Sequence, residues 1–112
     1  MMNELYYEGI KEYIGKNVDR VFKQPSKRFP HPFIDPGSVY DGNLWDWDSF
    51  WTVYSLIDYE KTLNDGGKFK KKLVTAARGN VLNFFKFQLD DGYIPMMVSN
   101  DIQGEEEESY LI

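Results

Sequence analysis

The run Trp45-Asp46-Trp47-Asp48 lies inside the stretch "SVYDGNLWDWDSFWTVYSLIDYE", which holds all three tryptophans of the chain within seven residues. A hydrophobic core accepts indole rings but gains nothing from carboxylates set between them. A carbohydrate site uses both. Indole covers the apolar C–H face of a sugar, and an ionised carboxylate accepts hydrogen bonds from its hydroxyls. On a helix that begins near Asp48, the side chains of Trp47 and Asp48 sit at the mouth of the first turn. Trp51 and Tyr54 then continue down one side. The same residues also suit plain packing, with Trp45, Trp47 and Trp51 as core and Asp48 as an N-cap worth about 1 kcal/mol.

Other chemistries find little support in the residue inventory. His31 is the single histidine and stands between Pro30 and Pro32, so histidine metal clusters and two-histidine relays are not expected. Without cysteine there is no disulfide framework and no thiolate site. No phosphate-cradling glycine motif occurs. The acidic run Glu105–Glu108 lacks the glycine turn that makes an EF-hand loop converge on calcium. No metal site and no cofactor are expected.

At 112 residues the chain is one domain's worth, with an ordinary 28% of charged residues and a high 17% of aromatics that favours ring-lined surfaces. A net charge of −5 argues against nucleic-acid binding, which needs a basic stripe. Lys68, Lys70, Lys71 and Lys72 read as the solvated start of a helix. The N-terminus carries acids early and no continuous apolar run, unlike a secretory signal. No stretch approaches the roughly 18 apolar residues of a membrane span. A soluble, cytoplasmic protein is expected.

These residues must be positioned by a small set of elements. Helical spacing runs over residues 4 to 22, with Asn3 as N-cap and Ile10, Ile14, Val18, Val21 and Phe22 on one face. The segment "KQPSKRFPHPFIDPGSVYDGN" then holds four of the five prolines, which predicts a long ordered loop without strand pairing. A second helix is predicted from Asp48 to about Leu63, capped by Asp46 or Asp48. A third is predicted over about Lys68 to Leu89, with Phe69, Leu73, Ala76, Ala77, Val81, Phe84 and Phe85 as its buried stripe. "DDGYIPMMVSND" reads as another loop. No segment alternates with the period of a strand, so the expected class is all-α. The return to Tyr110, Leu111 and Ile112 after the glutamates reads as the start of a further buried element, and the chain as a fragment.

The run "PGSVYDGNLWDWDSFWTVYSL" resembles the first signature of the trehalase-like glycosidases. That group includes trehalases, the processing α-glucosidases of glycoside hydrolase family 63, and the mannosylglycerate and glucosylglycerate hydrolases. Their pattern is a Pro-Gly loop, an aromatic run, and Trp-Asp-Ser followed by two aromatics. It is matched by Pro36-Gly37 and by Trp47-Asp48-Ser49-Phe50-Trp51. The group's Gly-aromatic-Ile-Pro turn is matched by Gly92-Tyr93-Ile94-Pro95. The resemblance implies that residues 1–112 form the N-terminal part of an (α/α)6-toroid catalytic domain built of helical hairpins. It also implies inverting hydrolysis of an α-glucoside or trehalose-like small glycoside. Trp47 and Asp48 would line the subsite of the sugar whose bond is cut, with Trp45 and Tyr40 as further substrate-binding residues. Asp46 departs from the tyrosine common there in trehalases, which argues against a strict trehalase and leaves the sugar open.

Inverting hydrolysis needs one carboxylic acid to protonate the departing oxygen and a second carboxylate to activate water. The group's motifs for that pair are absent here, so no catalytic residue is assigned. The remainder of a barrel, or an oligomer partner, is expected to complete the site. Two other readings stand beside this one: a non-catalytic carbohydrate-binding module, and a helical interaction domain with a packed aromatic core.

Overall fold

Four prolines between Pro25 and Pro36 hold the chain extended, and the fold is organised around where that extended segment lies. The computed structural model describes residues 2–37 and 42–100. Helix α1 (Met2–Asn17) tightens into a 3-10 turn at Val18–Val21 and leads into β1 (Phe22–Lys23). After the proline segment come β2 (Phe33–Ile34), β3 (Leu44–Trp45), α2 (Asp46–Glu60), α3 (Lys68–Lys86) and β4 (Met97–Val98). Strands β1 and β2 pair antiparallel, Phe22 opposite Ile34. Strands β3 and β4 do the same, Leu44 opposite Val98 and Trp45 opposite Met97.

The all-α expectation, with helical hairpins as part of an (α/α)6 toroid, is therefore corrected. The described chain is three helices with two small antiparallel sheets, a mixed α/β arrangement. Two-residue strands are too short to show alternation. The expected lack of donors fails because the prolines flank β2 rather than occupy it, so Phe33 and Ile34 keep their N–H groups.

Helix ends differ as well. Helix α1 begins before Asn3, so Asn3 is not its cap, and it gives way to the 3-10 turn at Val18. Helix α2 starts at Asp46 with Trp45 as N-cap and no side-chain cap bond, so neither aspartate fills the N-cap position. Its last regular residue is Glu60 rather than Leu63. Helix α3 stops at Lys86, three residues short of Leu89. At its start Asp65 receives the N–H groups of Gly67 (3.1 Å) and Phe69 (2.9 Å), satisfying donors the first turn leaves open.

The buried stripe of α3 is the most informative difference. Leu73 and Ala76 are buried and Phe69, Ala77 and Phe84 half-buried, but Val81 and Phe85 face outward. In their place Gly79, Asn80 and Asn83 turn inward. The partner they meet is backbone, not hydrocarbon. Asn83 donates from its side-chain amide to the His31 carbonyl (2.9 Å), and its Oδ1 accepts the His31 N–H (3.1 Å). Asn80 makes the same exchange with Ile34, accepting its N–H at 2.7 Å and donating to its carbonyl at 3.4 Å. Two asparagines three residues apart thus act as rungs of a ladder between a helix and an extended segment. Gly79 lets the two approach, since a Cβ there would lie 1.6 Å from the Pro32 carbonyl oxygen.

Two apolar clusters flank this seam. One joins Val18, Ile34, Leu56, Leu73 and Ala76; the other joins Phe29, Phe33, Leu44, Phe87 and Val98. Both draw on the proline segment, which thereby serves as a core layer. The molecule is elongated, 56 × 27 × 22 Å, with a radius of gyration of 16.0 Å. A compact domain of this length would have about 13 Å. Along α1, Leu5, Tyr6, Tyr7, Ile10 and Tyr13 are all exposed.

Candidate functional site

The first turn of α2 carries the tryptophan–aspartate run, and two unconnected parts of the chain hold it in place. From one side, Ser49 Oγ donates to the Ile34 carbonyl at 2.7 Å, fixing α2 to the end of β2. From the other, the Asp46 N–H donates to the Met96 carbonyl at 3.0 Å, just where the β3–β4 pairing begins. The Gly92-Tyr93-Ile94-Pro95 turn feeds that second contact. Gly92 has a positive φ of 93°, which favours glycine, and Pro95 is fully buried. The two segments singled out in the sequence are therefore neighbours through β3 and β4.

Trp45, half-buried, is the residue paired with Met97 across that small sheet. Trp47 is 74% exposed and stands at one end of an open groove of about 660 Å³ between α2 and α3. The groove walls are Phe50, Trp51 and Val53 on α2 with Ala77, Val81 and Phe84 on α3. Of its polar lining, Ser49 and Asn80 are engaged with Ile34. Asp46 remains at the Trp47 end, with its Oδ1 accepting the Trp47 N–H at 2.6 Å.

Asp48 is exposed at the same end of α2 but does not line the groove. Among the described residues no hydrogen bond reaches its carboxylate, which leaves both oxygens to solvent or a ligand. Of the three indoles, Trp45 is half-buried while Trp47 and Trp51 are exposed. Both carboxylates stand at the positive end of the α2 dipole. Tyr40, the remaining candidate, lies outside the described residues. Trp45, Trp47 and Asp48 are brought within one strand-to-helix junction.

Down the outer side of α2 the rings continue. Phe50 stacks on Tyr54 with centroids 6.3 Å apart, and Trp51 meets Tyr54 edge-on at 5.9 Å. Phe50, Trp51, Tyr54 and Ile57 are all exposed, so α2 is apolar on its outer face as well as toward the core.

Sequence reasoning assigned no role to Asp35, Ser49 and Asn80, which meet at the end of β2, or to Asn83, which holds His31. A signal was present for Asp35, because Asp-Pro-Gly is a turn in which the carboxylate takes a nearby N–H. Asn80 and Asn83 interrupt an apolar stripe at helical spacing. Ser49 stands in the quoted Trp-Asp-Ser run, but no role was assigned to it.

Among the described residues no three histidine, cysteine, aspartate or glutamate side chains converge as metal ligands. Nor is any described helix long and apolar enough to cross a membrane. No family model, no curated protein and no solved structure matches the chain.

Proposed function

We propose that the α2 N-terminus binds the sugar of a small α-glucoside, and that the chain contributes this subsite to a cytoplasmic inverting glycoside hydrolase. Trp47 would wall the sugar, Asp48 and Asp46 would accept its hydroxyls, and Trp45 would set the floor from β3. The observation that carries this reading is Trp47 itself. Leaving most of an indole in water forgoes about 3 kcal/mol of burial, beside a carboxylate that bonds to nothing described. A ligand that covers the ring and uses the carboxylate recovers that loss. The resemblance to the trehalase-like glycosidases supplies the reaction class. The acid and base are supplied from outside the described residues, since Asp46 and Asp48 share one helical turn and cannot flank a sugar ring.

Titration of the full chain with glucose and trehalose, followed by tryptophan fluorescence and amide NMR, tests the reading. Saturable shifts at Trp47 and Asp48, abolished in Trp47→Ala and weakened in Asp48→Asn, are expected. Trp47→Ala should meanwhile leave thermal unfolding within about 0.5 kcal/mol of the unmodified chain, as for an exposed side chain. Shifts that are absent, or that survive both substitutions, would sink it.

One observation favours a second reading, a helical interaction domain. The exposed rings of α1 and of the outer face of α2 form apolar surface well beyond scattered single residues. Light scattering separates the two readings: self-association without any sugar response supports the interaction domain.

A further inference from the structure

We infer that Asp35 is the positioning residue of this sugar site: its buried carboxylate ties Gly37 and Gly42 to the end of β2, and so sets where the chain enters β3 beside the first turn of α2. The inference rests on the sugar-binding reading for its consequence, and on geometry for the clamp.

Asp35 is 1% exposed, and among the described residues no cation pairs with it. Backbone N–H groups meet the charge instead. One oxygen accepts the Gly37 N–H at 2.9 Å and the other accepts the Gly42 N–H at 2.6 Å. The Gly37 bond is the local turn that an Asp two residues upstream makes. The Gly42 bond reaches across seven residues, to the segment that leads into β3. Gly42 has a positive φ of 86°, a backbone conformation that favours glycine at this end. In sequence, Tyr40 falls between the two clamped glycines.

The clamp is itself anchored. Asp35 donates its own N–H to the Val21 carbonyl at 2.9 Å. The preceding residue, Ile34, accepts the Ser49 hydroxyl from α2 at 2.7 Å and exchanges bonds with Asn80 on α3. Ser49 adjoins Asp48, and Gly42 lies three residues before Trp45. Contacts thus run from Ser49 through Ile34 and Asp35 to Gly42 and on into β3. A buried carboxylate costs a great deal to keep unless it is fully hydrogen-bonded, and a simple turn needs only one of its two oxygens. The second oxygen holds Gly42, three residues before Trp45.

Asp35→Asn is the isosteric test, because the amide replaces one acceptor with a donor that faces a backbone N–H. Hydrogen exchange of the Gly37 or the Gly42 amide, whichever then faces the new NH2 group, should accelerate about tenfold, the equivalent of one lost hydrogen bond. The α3 amides of Leu73 and Ala76 should not change. Trehalose affinity, read by tryptophan fluorescence, should fall by about tenfold with Trp47 and Asp48 intact. Ser49→Ala, which cuts the next link, should weaken trehalose binding in the same direction.

Unchanged exchange at both glycines overturns the clamp. Faster exchange at these glycines with unaltered trehalose affinity overturns the positioning role while leaving the sugar reading in place. Failure of glucose and trehalose to bind the unmodified chain removes the sugar reading, and the positioning role with it. Should Asp35→Asn not fold, two results decide. A through-bond NMR coupling between the Gly42 amide and the Asp35 carboxylate in the unmodified chain must be present, and Ser49→Ala must weaken binding; the lack of either refutes the inference.

Discussion

Replacing Gly79 by alanine sets two effects of opposite sign against each other. Inside a helix, alanine is favoured over glycine by about 1 kcal/mol, so on propensity alone Gly79→Ala would stabilise α3. The new Cβ, however, would sit 1.6 Å from the Pro32 carbonyl oxygen, 2.8 Å from its carbon and 3.3 Å from His31 Cβ. Carbon and carbonyl oxygen normally approach no closer than about 3.3 Å, so backbone must move by roughly 1.5 Å or more. Pro32 lies between His31 and Ile34, the residues held by Asn83 and Asn80, and a shift of that size breaks several of those four hydrogen bonds. At about 1 kcal/mol each, with overpacking strain of 1–3 kcal/mol typical of cores, roughly 4–5 kcal/mol is lost against 1 gained. The net destabilisation is about 3–4 kcal/mol, comparable with the whole stability of a small domain. Urea unfolding followed by circular dichroism, with NMR dispersion as a check on native packing, measures it. Gly9→Ala is the control, since nothing lies within 4 Å of a Cβ there, and it should stabilise by up to about 1 kcal/mol. A Gly79→Ala chain as stable as the unmodified one would refute the close seam between α3 and the proline segment.

Three further outcomes are expected. Asn83→Leu strips the His31 N–H and carbonyl of their partners and should cost about 2–3 kcal/mol in urea unfolding; a loss below 0.5 kcal/mol would mean that solvent replaces the ladder. The chain of residues 1–112 should not hydrolyse trehalose, nitrophenyl α-glucoside or glucosylglycerate in a product-release assay, because Asp46 and Asp48 lie on one turn; measurable turnover would place catalytic groups where none is assigned. The unmodified chain should bind a hydrophobic dye, and Trp51→Gln combined with Tyr54→Gln should cut that fluorescence, because both rings are more than half exposed; undiminished dye binding would move the open surface elsewhere.

The residues of the candidate site stand out in local sequence, and the contacts that support them do not. Trp45, Trp47 and Asp48 stand out because their side-chain chemistry and spacing are unusual over a few residues, and a helix starting among them follows from the same stretch. Helix α3 was likewise visible, since its apolar residues recur at helical spacing. The inward face was misjudged because apolar periodicity assumes a hydrocarbon neighbour. Val81 and Phe85 match that assumption, but the neighbour is the backbone of residues 31–34, which only amides such as Asn80 and Asn83 can satisfy.

By itself the sequence determined the local terms: three helical segments, a proline-stiffened extended run, and aromatic and acidic side chains at one helix start. Each depends on neighbours a few residues away, through propensity, proline geometry and side-chain chemistry. Only the tertiary structure decided the partners. It set β2 against α3, joined β3 to β4 across more than fifty residues, and left Trp47 open at the end of a groove with Asp48 exposed outside it. Two-residue strands leave no periodic mark, and the spacing of Asn80 and Asn83 does not name their partner, because a hydrogen bond between distant backbones depends on where the chain returns rather than on the residues beside it.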